Sequence, residues 1–210
     1  LSGAEDINLS DVRAHLQAMK SWGANAIRLW INIEWWKDRT VPWYGKDQDY
    51  QANVITTIRI ADEEGLYVIF CVGQLTSWRT NTYKPNQPYP PYLQENQTVV
   101  IPSKQAFVDF WASLASDLKG YDNVIFDLWN EPIGNEPKEW LDVAQQCVNA
   151  IRAVGAENLI SIEWLGDCQS WDYGFSFVEN YPLLGSNLMY DIHIYRSRSS
   201  EASGLGPGAP

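Results

Sequence analysis

The 210-residue sequence predicts an α/β fold built on a parallel sheet. Short, almost wholly apolar runs such as Leu66–Val72 (L-Y-V-I-F-C-V) and Val124–Leu128 read as strands buried on both faces. Between them lie segments with apolar residues at helical spacing, closed by glycines. Helix and strand patterns alternate along the chain, which is the order a parallel sheet with crossover helices requires.

In chain order, Leu9–Trp22 reads as a helix with Ser10 as N-cap, Val12, Leu16 and Met19 on one face, and Gly23 after its end. Ala26–Trp30 (A-I-R-L-W) is a strand with an arginine inside it, followed by an irregular aromatic-rich stretch to Gly45. A second helix spans about Asp49–Glu64, burying Tyr50, Val54, Thr57, Ile58 and Ala61, and Gly65 ends it. The strand Leu66–Val72 leads into a Pro/Tyr/Asn-rich stretch, Gly73–Pro102, whose length marks it as functional rather than connecting. Ser103 caps a third helix that carries Phe107, Trp111, Leu114 and Leu118 in register and closes at Gly120.

The Val124–Leu128 strand then ends in Trp129-Asn130-Glu131-Pro132. Pro137 suits the first turn of a fourth helix, with Leu141, Ala144, Val148 and Ile151 on its apolar face and Gly155 after it. Leu159–Trp164 and Leu188–Tyr195 are the last strands, separated by a loop with a short helix between Gly166 and Gly185. The Ser/Gly/Pro-rich residues 196–210 read as a tail or linker beyond a domain of residues 1–195. A doubly wound sheet and a (β/α)8 barrel both fit this order. No G-x-G-x-x-G or Walker-type loop follows any strand, which removes the usual nucleotide reason for a doubly wound sheet.

Composition narrows the function. A net charge of −11 argues against nucleic acid, anionic membrane surfaces and polyanionic substrates, and leaves neutral ones open. Three dispersed cysteines and two histidines give no zinc-site spacing, and neither a metal nor a cofactor is expected. No run approaches the roughly 18 apolar residues of a membrane span. The 11 tryptophans and 11 tyrosines are the unusual feature. Either they fill the core and anchor loops, or they line a cleft for ligands with flat apolar faces and polar edges, sugar rings among them.

In a parallel α/β fold the chemistry gathers at the C-terminal ends of the strands. Those ends here carry Arg28 and Trp30, then Gln74, then Trp129, Asn130 and Glu131, then Glu163 and Trp164, and finally His193 and Tyr195. A carboxylic acid beside tryptophan and facing a second carboxylate has its pKa raised and can act as a general acid. His193 and Tyr195, two residues apart, share one side of their strand. Each residue also has a plainer reading. Arg28 can pair with Asp127, Glu131 can complement the dipole of the following helix, and His193 can be a satisfied buried histidine.

The segments N-A-I-R-L-W, V-I-F-D-L-W-N-E-P and I-H-I-Y, in this order, resemble the glycoside hydrolase family 5 cellulases and mannanases, retaining (β/α)8 glycosidases. The resemblance implies a partial (β/α)8 TIM barrel containing about strands two to six. It implies a β-1,4-glucan-type hydrolase with Glu131 as acid/base and Asn130 bonding the sugar 2-hydroxyl. Arg28 would support the carboxylates, and His193 and Tyr195 would line the cleavage subsite. Trp30, Trp78, Trp129 and Trp164 are the expected stacking surfaces. A retaining mechanism needs a second carboxylate about 5–5.5 Å away as nucleophile.

The family's nucleophile sits at the end of strand seven, for which this sequence supplies no strand after Tyr195; Glu163 is the substitute within the chain. The segment C-V-G-Q-L-T-S-W also stands where many relatives carry Asp or His, which leaves mannanase-type specificity open. A non-catalytic carbohydrate-binding protein is the alternative function. The expected partner is an extracellular polysaccharide, and the raw sheet edges call for a second copy or a further segment to cover them.

Overall fold

The computed structural model describes residues 9–39, 49–73, 104–130, 132, 137–163, 178–180 and 182–193. Five parallel strands form one sheet in the order β1 (Ala26–Asn32), β2 (Tyr67–Gly73), β3 (Val124–Asp127), β4 (Ile160–Glu163), β5 (Leu188–Asp191). The helices are α1 (Leu9–Ser21), α2 (Ile33–Asp38), α3 (Tyr50–Glu63), α4 (Lys104–Leu118) and α5 (Pro137–Ala153). Strand order equals chain order, with no reversal about a central strand. That is the arrangement of a singly wound barrel wall and not of a doubly wound sheet. Among the described residues β1 and β5 do not pair, so the wall is an open, partial (β/α)8 barrel.

The ladder register sorts the side chains. Trp30 pairs with Cys71, Cys71 with Asp127, and Asp127 with Ser161, so these four share one face. Arg28, Glu163 and Asp191 lie two residues away along their strands and share that face too. The opposite face carries Ile31, Val68, Phe70, Val72, Val124, Phe126, Ile160 and Ile162, all essentially buried in the core. Helices supply the other half of that core: Trp111 of α4 packs on Phe126 with ring centroids 5.7 Å apart, and Trp36 of α2 meets Phe70 edge-on at 5.5 Å. Burying each such large side chain contributes roughly 1.5–3 kcal/mol. The chemistry is therefore confined to the face that the helices do not cover.

Neutral tethers hold the N-terminal end of the sheet. Asn123 Nδ2 donates to the carbonyls of Ile58 and Leu66, both at 3.2 Å, tying α3 to the entries of β2 and β3. Asn158 Nδ2 donates to Tyr121 and Val124 carbonyls, both at 3.0 Å, before β4. Gly23 and Gly65, at φ +91° and +71°, provide the left-handed turns that end α1 and α3.

The elements depart from expectation in three places. Ser10 lies inside α1, one residue past its start, and so is not the N-cap. The stretch after Trp30 is not irregular throughout: β1 continues to Asn32, whose side chain accepts from Trp35 N at 3.2 Å and starts the six-residue α2. Regular pairing in the last strand runs only to Asp191, opposite Glu163, and Ile192 and His193 lie beyond the strand. The long Gly73–Pro102 stretch after its first residue, the Ser103 cap and the 196–210 tail lie outside the described residues.

Candidate active site

The upper rim of the uncovered face is organised around Arg28. From β1 its guanidinium reaches Asp127 of β3, Nη2 donating at 2.7 Å and Nε at 3.2 Å to Oδ2. The same Nη2 donates to Glu163 Oε1 of β4 at 2.6 Å, and Nη1 donates to Asn130 Oδ1 at 2.9 Å. Both carboxylates are fully buried, whereas 31% of the Arg28 side chain is exposed. Burial disfavours the Arg28 charge, but Cys71 and the carboxylates of Asp127 and Glu163 more than offset it and raise its pKa. The arginine is a permanent cation here.

Burial acts more strongly on Asp127, pushing its carboxyl pKa up although Arg28 pulls the other way. The Cys71 thiol, buried next to Asp127 in the ladder, is raised well above its ordinary range, first by burial and then by that neighbouring carboxylate. It is a neutral filler of the barrel interior and no nucleophile.

Backbone contacts fix the rim. Past the end of β3, Asn130 N still donates to Val72 O of β2 at 2.9 Å, and Leu128 N to Ser161 O of β4 at 3.2 Å. The Trp140 indole of α5, fully buried, donates to the Glu163 carbonyl at 2.8 Å, locking the end of β4 from behind. Glu163 Oε1 also lies 3.0 Å from His193 Nε2, just after β5, and Asp191 Oδ2 lies 4.0 Å from that same nitrogen. Ligand atoms of Glu163, Asp191 and His193 fall within 4.8 Å of one another, a spacing wide enough for a cation. Arg28 Nη2 already holds the Glu163 oxygen, so a metal would have to displace a guanidinium.

Of the site residues expected from sequence, Arg28, Asn130, Glu163 and His193 converge on this rim, with the Arg28–Asp127 pair in place. Trp30 stands on the same face as Arg28 and is 46% exposed, an apolar surface open to a ligand. Trp129 does not serve as a stacking platform. It is 4% exposed and meets Phe107 of α4 edge-on at 5.6 Å. Glu163, the expected substitute nucleophile, is fully buried, with Oε1 accepting from Arg28 Nη2 and lying 3.0 Å from His193 Nε2. Glu131, Tyr195, Trp78 and Trp164 lie outside the described residues. Two contributors went unread in the sequence: Asp191, which the two-residue strand period back from His193 would have found, and Trp140, whose indole direction nothing in a helical pattern reveals.

A profile of the family described as Cellulase (glycosyl hydrolase family 5) matches residues 5–204. Endoglucanase 1 of Saitozyma flava is 35% identical over 106 residues, covering 45% of this chain and 30% of that protein. Endo-beta-1,4-glucanase B of Aspergillus niger is 27% identical over 152 residues, covering 71% of this chain and 40% of the relative. This chain therefore spans well under half the length of these two relatives.

Among solved structures, an endo-beta-1,4-glucanase triple mutant from Xanthomonas axonopodis pv. citri superposes with a TM-score of 0.63 at 23% identity, covering 86% of this chain and 55% of that one. A hyperthermophilic endocellulase from the archaeon Pyrococcus horikoshii gives 0.64 at 21%, covering 88% and 57%. These two likenesses establish the barrel fold. The profile runs through every strand that contributes to the rim, and on that ground the chain belongs to glycosyl hydrolase family 5.

Proposed function

We propose that the chain is the catalytic part of a retaining β-1,4-glucan hydrolase, with Glu131 as acid/base. The observation that carries this reading is the Arg28 network, which fixes Asn130 immediately before Glu131 at the rim. Arginine has only donors, so the Asn130 atom it meets is the carbonyl oxygen, and the amide NH2 is left as the donor toward a substrate hydroxyl. Arg28 and its buried carboxylates set the local charge, His193 supplies a polar wall, and Trp30 offers an apolar face to a sugar ring. Glu131 protonates the leaving oxygen and then activates water, while a second carboxylate forms the glycosyl intermediate. Because Glu163 is held in the ion-pair network, that nucleophile is sought elsewhere, at the family's strand-seven position. Tyr195, Trp78 and Trp164 complete the cleft in this reading.

The substrate is a neutral polysaccharide outside the cell, glucan before mannan, consistent with the endoglucanase names of the relatives. Among the described residues no helix is long and apolar enough to cross a membrane. The free edges of β1 and β5 are covered by a further segment or a second copy. The occupied state of Glu163 also favours a second reading, a carbohydrate-binding protein without hydrolysis.

Reducing-sugar release on soluble β-1,4-glucan and on mannan, with Glu131→Gln assayed beside it, separates the readings. Hydrolysis that falls at least about 100-fold in the variant supports the acid/base role. Glucan binding without hydrolysis supports the binding reading, and neither binding nor hydrolysis overturns both.

A further inference from the structure

The geometry points to Glu163 as a positioning residue: one carboxylate oxygen holds the Arg28 guanidinium and the His193 imidazole together, and through Arg28 it sets the Asn130 amide. The role deepens the hydrolase reading and takes its catalytic meaning from it. Glu163 comes from β4, Arg28 from β1 and His193 from just after β5, so a single acceptor ties the first strand of the sheet to its last two. The side chain is fully buried, and its backbone carbonyl is fixed by Trp140, so the carboxylate has little freedom to re-aim.

An ionised carboxylate only accepts, so the nitrogen of His193 that faces it, Nε2, carries the proton. The same reasoning makes Asn130 a donor, because its oxygen is taken by Arg28. Glu163 thereby fixes which imidazole nitrogen carries the proton and, through Arg28, leaves the Asn130 amide NH2 as a donor at the rim. A loss of fold stability alone would leave the proton on the same nitrogen in the folded state, whereas loss of the facing acceptor would not.

The test uses the 210-residue chain labelled with 15N-histidine. His15 is the other histidine, and a His15→Gln background leaves one imidazole to read. At about pH 9, above the usual histidine range, the expected spectrum shows an N–H proton on Nε2 in slow exchange with water. Glu163→Leu removes the acceptor and should abolish that signal. Glu163→Gln keeps an oxygen acceptor without its charge and should speed exchange roughly tenfold.

A proton on Nδ1, no protected N–H in the parent chain, or a signal unchanged in Glu163→Leu overturns the assignment. Should the leucine variant fail to fold, unchanged exchange in Glu163→Gln overturns it equally. Hydrolysis does not enter this readout. The positioning role can thus fail while glucan cleavage stands, and the reverse result is equally distinguishable.

Discussion

Replacing Arg28 by methionine leaves an unbranched side chain and removes the cation that, among the described residues, the two buried carboxylates share. Asp127 and Glu163 each have no exposed side-chain surface, so both would lose the guanidinium that faces them, with His193 still beside Glu163. Breaking a buried ion pair from one side costs about 3–5 kcal/mol. Arg28 itself is 31% exposed, and water entering its place recovers part of that. About 3 kcal/mol is the expected loss near neutral pH, a large share of the ~5–15 kcal/mol that holds a domain together.

The loss should depend on pH in a definite direction. Burial already raises the Asp127 carboxyl above its ordinary value of 3.8, and Arg28 opposes that rise. Between the unfolded and folded values the folded state holds the extra proton, so stability falls as pH rises through that window. Deleting Arg28 extends the window upward, and the variant can relieve itself at low pH by protonating Asp127. Urea denaturation followed by far-UV circular dichroism at about pH 4.5 and about pH 7.5 should show the variant's penalty shrinking by at least ~1 kcal/mol at the lower pH. A penalty below about 1 kcal/mol at neutral pH, or one equal at both, would show that the cluster is solvated and that its ion pairs carry little.

Three further outcomes are expected. Asp49→Ala removes the N-cap of α3, whose carboxylate accepts from Ala52 N at 3.1 Å and pairs with Arg39, and should lower the unfolding free energy by about 1 kcal/mol. Slight burial works against the Asp49 charge, but Arg39 and the Ala52 amide hold its pKa below 3.8; the contribution is present above that value and disappears as pH falls through the folded one, so parent and variant unfolding curves should converge in strong acid. Trp140→Phe keeps a six-membered aromatic ring but loses the pyrrole half of the buried indole and with it the donor to the Glu163 carbonyl, at a cost of at least roughly 1–3 kcal/mol by the same denaturation assay. Cys71 and Cys147 are buried thiols whose pKa values burial raises, so a disulfide reagent at about pH 8 should modify neither until urea unfolds the chain; rapid labelling of either under native conditions would contradict their burial.

Much of the rim was legible because strands have a period of two and their ends gather chemistry. Arg28 inside an apolar strand, Asp127 within another and Asn130 just past its end stand out against their neighbours, and the strand order brings them together. The dual engagement of Glu163 was not legible. Its donors lie 135 residues away at Arg28 and beyond β5 at His193, and no local pattern encodes which of several rim groups an arginine will choose. The short α2 was missed for a different reason: six residues hold too little of a 3.6-residue repeat, and the signal is the single capping bond from Asn32. Trp129 misled because an aromatic after a strand reads as rim, whereas packing against Phe107 outweighs exposure for so large an apolar surface.

The two ends of the sheet are built from different chemistry, and that difference follows from what each has to do. At the N-terminal end, Asn123 and Asn158 satisfy loop carbonyls with neutral amides that lose little on burial once bonded. At the C-terminal end the chain instead buries Asp127 and Glu163 and holds them with one partly exposed guanidinium. For stability alone that is a poor arrangement, since apolar residues of similar volume in place of a buried ion pair are often neutral or stabilising. Charge retained at such a cost is explained by what it fixes. Arg28 turns the Asn130 amide and Glu163 faces the His193 ring with an acceptor, so the hydrogen-bonding groups of the rim are oriented before any ligand arrives.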